Sequence, residues 1–152
     1  MQRLAGLCDS MTGKEIETAA RHFMAAAIWI DGPERTAIKC TRETGAIART
    51  FVKEFACAHP AECAAILASA GYGSHHDAGS PAAAFGQDLY LTCAGHGSGF
   101  WDRRELGETG ELVSNRIRTE WRRWYIEAYC YRQRLYFCVS PDMFALAKHH
   151  EN

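Results

Sequence analysis

The sequence predicts an α+β fold in which N-terminal helices precede a small sheet built from strand, loop, helix, strand and strand. Three observations carry this reading. Apolar residues recur at helical spacing up to about residue 70. A stretch of small, flexible residues over 71–80, Gly-Tyr-Gly-Ser-His-His-Asp-Ala-Gly-Ser, then interrupts the pattern. Beyond it, alternating runs rich in Tyr, Phe and Val take over. The 152 residues are therefore read as one domain, with a helical part over 1–70, a flexible connection over 71–80 and an α/β part over 81–152.

In the first helix Ile16, Ala20, Phe23, Ala27 and Ile30 recur at helical spacing, and Thr12-x-x-Glu15 has the form of a capping box. Gly32-Pro33 stops it. A second helix carries Ile47, Phe51 and Phe55 on one face, with Thr41 or Thr44 as its cap, and ends before His59-Pro60. Pro60 suits the first turn of a third helix reaching Ala70, where Gly71 is a good terminator. Residues 88–93 alternate as a strand, with Leu89, Leu91 and Cys93 on one face. After a glycine-rich loop, Leu112, Val113, Ile117, Trp121 and Trp124 mark a helical stripe. Residues 125–131 and 134–140 read as a hairpin, although Arg132-Gln133 is poor chemistry for a two-residue turn. Ser140-Pro141-Asp142 starts a short terminal helix.

Composition excludes little and directs less. Hydrophobic residues at 47% and charged residues at 23% are ordinary for a soluble globular chain. A formal charge of −1 supplies no global attraction to nucleic acid or anionic membrane, so such a partner would need a local patch. No apolar run approaches the roughly 18 residues of a membrane span, and no membrane association is expected. Seven cysteines at irregular spacing do not form a disulfide framework, and Cys8, Cys40, Cys93, Cys130 and Cys138 sit among apolar neighbours. With no secretory signal at the N-terminus, the expected location is the cytoplasm of a bacterial host, without bound cofactor or metal.

The most informative stretch is Gly95-His96-Gly97-Ser98-Gly99-Phe100-Trp101-Asp102-Arg103. Glycine at every second position permits close backbone approach, and Phe100-Trp101 argues that the loop folds back on the core, both rings packing onto the sheet. His96, Ser98 and Asp102 are the catalytic candidates, since an imidazole near a hydroxyl and an acid suits acid–base or nucleophilic chemistry. The alternative is that Asp102 caps a turn, His96 bonds a backbone carbonyl and Trp101 anchors the loop. Lacking the Lys-Ser/Thr ending, the stretch is no phosphate loop.

Residues 81–118, from Pro81-Ala-Ala-Ala-Phe-Gly-Gln-Asp-Leu-Tyr-Leu-Thr through the nonapeptide to the helix after it, resemble a group of small proteins encoded by phages and plasmids. These carry an Asp-aromatic-hydrophobic-Thr strand leading into Gly-His-Gly-small-Gly-Phe-Trp-Asp, followed by Leu-Gly-Glu, matched here by Leu106-Gly107-Glu108. The tyrosine-bearing hairpin is similar in pattern, but its turn lacks their Asp-Gly and the preceding helix is richer in arginine. No established activity comes with the resemblance. It implies an accessory protein of a mobile element that binds a host or phage protein, with inhibition of a host defence system such as CRISPR as one concrete form.

Two further constellations remain. Cys57, His59, Cys63, His75 and His76 hold zinc-ligand types at a spacing that matches no familiar zinc module, so buried thiols and a solvated His-His-Asp loop are the plainer reading. Between Leu112 and Val139, six arginines (Arg116, Arg118, Arg122, Arg123, Arg132, Arg134) oppose Glu120 and Glu127, a net +4. With Tyr129, Tyr131 and Tyr136 nearby, this suits nucleic acid or an acidic protein, or is a solvated helix face. Partner binding is expected through His96, Trp101, Asp102, Arg103, Arg104 and Arg116, with a small hydrolase or transferase site in the loop as the alternative and nucleic-acid binding as the third reading.

Overall fold

The computed structural model describes residues 10–33, 37–74 and 79–151. Helix α1 (Gly13–Asp31) begins with the expected capping box: Glu15 N–H donates to Thr12 Oγ1 (3.1 Å) and Thr12 N–H donates to Glu15 Oε1 (2.9 Å). It buries Ala19, Ala20, Phe23, Ala26 and Ala27, whereas Ile30 stays partly in solvent. A two-residue strand β1 (Lys39–Cys40) leads into α2 (Arg42–Ala58). Of the two candidate caps Thr41 is the one used, because Thr44 N–H donates to its Oγ1 (3.1 Å). Thr44 instead donates its hydroxyl to the Leu135 carbonyl (2.6 Å), tying α2 to the sheet. Helix α3 (Pro60–Ala68) starts on Pro60 as expected.

The segment 71–80, expected as a flexible connection, is packed near its start. Tyr72 and Gly73 are buried, and a Cβ on Gly73 would stand 2.7 Å from the Ser80 carbonyl oxygen. Residues 75–78 lie outside the described residues.

Residues 88–93 are not a strand but the C-terminal half of helix α4 (Pro81–Cys93). The start signals are present: Ser80 Oγ accepts from Ala83 N–H (3.2 Å), and Pro81 occupies the first turn. The misleading alternation has a physical cause. Every residue from Ala82 to Leu91 except Gln87 is buried, and a helix enclosed on nearly all sides has no polar face to display its period. Backbone contact with α1 encloses it, since a Cβ on Gly86 would lie 2.0 Å from the Ala19 carbonyl oxygen. Phe23 meets Tyr90 at 5.3 Å and Phe51 at 5.2 Å, at the centre of one aromatic cluster.

The expected helix through Trp124 is broken. It divides into α5 (Glu108–Thr119) and a single turn α6 (Trp121–Trp124) at Glu120. Val113, Ile117 and Trp124 are buried as the stripe required, but Leu112 and Trp121 face solvent. Glu120 Oε1 accepts from the Trp124 indole (2.9 Å) and lies 3.3 Å from Nε2 of buried His59. Burial alone would raise the Glu120 carboxyl above its ordinary 4.5, but the Trp124 and His59 contacts outweigh it and hold the value lower. A depressed acid stabilises the fold above its unfolded value and ceases to as pH falls through the folded one. Glu120→Gln should therefore flatten the stability–pH curve on the acid side of the ordinary 4.5, read as urea midpoints, and an unchanged slope would contradict this.

The hairpin is formed by β2 (Ile126–Tyr131) and β3 (Arg134–Val139). Its turn places both Arg132 (φ 50°) and Gln133 (φ 64°) in the left-handed region, the backbone of a two-residue turn made without glycine or asparagine. The sheet order is β1-β3-β2, so its third strand comes from the helical half, running parallel to β3. Ile126, Leu135 and Phe137 point into the core. Helix α7 (Pro141–Glu151), capped by Ser140 Oγ accepting from Met143 N–H (3.2 Å), packs on α2 through Met143 and Ala147. The α+β fold is thus as expected, with helices ahead of a small sheet. No helix among the described residues is long and apolar enough to cross a membrane.

Candidate binding face at the glycine loop

Each feature of the 95–103 loop has a local cause. Helix α4 ends in paired backbone bonds, His96 N–H to the Leu91 carbonyl (2.9 Å) and Gly95 N–H to that of Thr92 (3.2 Å), with Gly95 at φ 78°. That is the left-handed terminator geometry which favours glycine. The chain then presses on α4 so closely that a Cβ on Gly99 would stand 2.3 Å from Thr92 Oγ1. Thr92 donates that hydroxyl to the Asp88 carbonyl (2.7 Å) and accepts from Phe100 N–H (3.1 Å). Phe100 is fully buried, 5.4 Å from the Phe85 ring. Its carbonyl lies against Gly110 of α5, where a Cβ would come within 2.4 Å. Gly99→Ala should break the Thr92–Phe100 bond and cost about 1–3 kcal/mol in urea unfolding. A midpoint equal to the parent's would mean that the loop yields freely.

Arg103 turns inward. Its Nη2 (2.7 Å) and Nε (3.0 Å) both donate to Asp88 Oδ1, and Tyr72 donates its hydroxyl to Asp88 Oδ2 (2.6 Å). Asp88 is 1% exposed, so its hydrogen bonds come from Arg103 and Tyr72 and not from solvent. Burial pushes the Tyr72 phenol well above its ordinary value, and the Asp88 carboxylate adds to the shift. For Arg103 burial works against the charge, but the Asp88 bonds outweigh it and the guanidinium is held above its ordinary value.

His96 finds its acid elsewhere than expected. Its Nε2 lies 3.0 Å from Asp31 Oδ2 at the end of α1, an oxygen that also accepts from the Tyr90 hydroxyl. Burial first, then Asp31, raises the Tyr90 phenol. Asp102 is exposed and Ser98 half-buried, and no hydrogen bond joins His96, Ser98 and Asp102 among the described residues.

Trp101 is 43% exposed and so does not anchor the loop, a role that falls to Phe100. It lines a cleft of about 260 Å³ with Glu111, Asn115 and Arg118 of α5, where Arg118 donates to Asn115 Oδ1 (2.8 Å). Arg104, three residues on from Trp101, is exposed. Arg116 belongs to another side of α5, 3.6 Å from Glu62 of α3. Arg103, Arg104 and Arg116 therefore do not border one surface: the first is inside, and the last faces a different helix.

Of the zinc-type group, His59 and Cys63 are buried and Cys57 is half-buried, while His75 and His76 lie outside the described residues. Among the described residues no three His, Cys, Asp or Glu side chains are disposed to hold a metal. The residues that sequence reasoning passed over are Asp88, Tyr72, Thr92 and Asp31. An aspartate inside an apolar run was the available signal for Asp88, because a buried carboxylate demands partners. Compared with known proteins, the chain matches no protein family profile, no curated protein and no solved structure.

Proposed function

We propose that this is an accessory protein of a mobile genetic element that acts by binding another protein, through a rim made of Trp101 and the adjoining side of α5. One observation carries the reading: two of the loop's polar side chains, His96 and Arg103, are turned to partners within the fold, while its tryptophan is left in solvent. Arg103 is consumed by Asp88 and His96 by Asp31, yet Trp101 stands over a cleft beside Glu111, Asn115 and Arg118. Tryptophan and arginine are the residue types that most often dominate binding energy. Presented on a fixed backbone, they lose little entropy on docking. The likeness of the nonapeptide to phage and plasmid proteins supports a partner from host or phage, and interference with a host defence system is the form it favours.

The test is capture from a bacterial host lysate, followed by reconstitution with the purified partner. Trp101→Ala and Arg118→Ala should each weaken the reconstituted complex tenfold or more, on the order of 1.4 kcal/mol, without moving the melting curve. Undiminished binding by both variants would sink the proposal. The Asp31-oriented imidazole of His96 favours a second reading, a general base in a hydrolase. In that case His96→Ala abolishes a measurable hydrolysis and the rim variants do not.

A further inference from the structure

The solvent face of the sheet carries a second, independent site, and we propose that it binds single-stranded nucleic acid. Side chains alternate along each strand, so Glu127, Tyr129 and Tyr131 of β2 share the outward face with Arg134, Tyr136 and Cys138 of β3. The pairing arranges them in rows. Lys39, Arg134 and Tyr131 lie side by side across all three strands, and Tyr136 and Tyr129 occupy the next row. The opposite face, with Ile126, Leu135 and Phe137, is the one the core covers.

Three properties of the outward face point to the same occupant. Its aromatics are left in solvent: Tyr129 is 47% and Tyr131 57% exposed, although large rings in a stable chain ordinarily find cover. They are also set up for stacking, with the Tyr129 and Tyr136 rings stacked at 5.3 Å and an interplanar angle of 17°, and the Arg132 guanidinium 5.3 Å over Tyr131. Lastly, the cations are available. Among the described residues no carboxylate pairs with Lys39, Arg132 or Arg134, and all three stand in or next to the tyrosine rows. The one outward acid, Glu127, accepts from the Tyr125 hydroxyl (2.7 Å).

An acidic peptide would satisfy the cations but leave the ring faces without a matching partner. A duplex would meet the cations through its phosphates but keep its base faces stacked inside. A single strand offers both, with phosphates for Lys39, Arg132 and Arg134 and unstacked bases for the tyrosines, and aromatic stacking accepts any base. Since the whole chain carries a formal −1, the attraction is confined to this patch and fades with salt. Three phosphate contacts to a single strand correspond to a slope of about −2 in log K against log salt.

The experiment is fluorescence anisotropy with labelled oligothymidylate and oligouridylate of about 15 nucleotides, beginning at about 50 mM salt. Binding of these strands should exceed that of a duplex of equal length. Tyr129→Ala and Tyr131→Ala should weaken it about tenfold each, while Tyr129→Phe, which keeps the ring, should not. Arg134→Ala should reduce the salt slope by about 0.7. Trp101→Ala should leave it unchanged, which separates this site from the protein-binding rim. Absence of binding at low salt overturns the proposal. So does equal binding of duplex and single strand that is insensitive to both tyrosine changes, or a polyglutamate peptide that binds more tightly through the same residues.

Discussion

Asp88→Ala is expected to lower stability by about 3–5 kcal/mol, measured by urea unfolding, more than any surface substitution near the loop. The carboxylate is 1% exposed and the Arg103 side chain 18%, so removal of the acid strands a largely buried guanidinium as well as the Tyr72 hydroxyl. The cost lies in the abandoned partners, not in the net worth of the pair. Replacing all of them together, as Asp88→Leu with Arg103→Met and Tyr72→Phe, should therefore recover most of the loss. A single Asp88→Ala variant within about 1 kcal/mol of the parent would show that the cluster does not hold the loop to α4.

Phe100→Ala is expected to cost about 3–5 kcal/mol, whereas Trp101→Ala should cost under about 1 kcal/mol. The two neighbours differ because the short turn Phe100–Asp102 sends one ring between α4 and α5, in contact with Phe85, and the other into solvent over the cleft. Denaturation of the two variants side by side decides the matter. Equal losses would mean that Trp101 carries part of the anchoring, and the rim would then be structure instead of binding surface.

Much of the fold was legible because capping signals are local. Thr12 with Glu15, Pro60 and Ser140 each mark a helix start that the structure reproduces, and of Thr41 and Thr44 the structure selects Thr41. Residues 88–93 alternate like a strand although they are helical, because burial on nearly all sides leaves no polar face to show the helical period. The third strand was invisible, since Lys39–Cys40 is too short to carry a period and pairs with residues almost a hundred positions away. In the loop, the glycines correctly marked close approach at Gly99, and the structure supplies the reason in Thr92 Oγ1. Which of Phe100 and Trp101 would be covered was not readable, because that depends on a one-residue phase in a tight turn. The partners of His96 and Arg103 were out of reach as well. Asp31 lies 65 residues from His96, and Asp88 lay in a stretch assigned to the wrong element.

The loop as a held scaffold is tested most directly by native-state hydrogen exchange at two of its amides. Phe100 N–H donates to Thr92 Oγ1 and His96 N–H to the Leu91 carbonyl. Both should exchange as slowly as the interior amides of α4, and both should speed up in Asp88→Ala under conditions where the rest of the chain stays folded. Exchange of these two amides at the rate of an unprotected peptide in the parent protein would show that the loop is not held to α4.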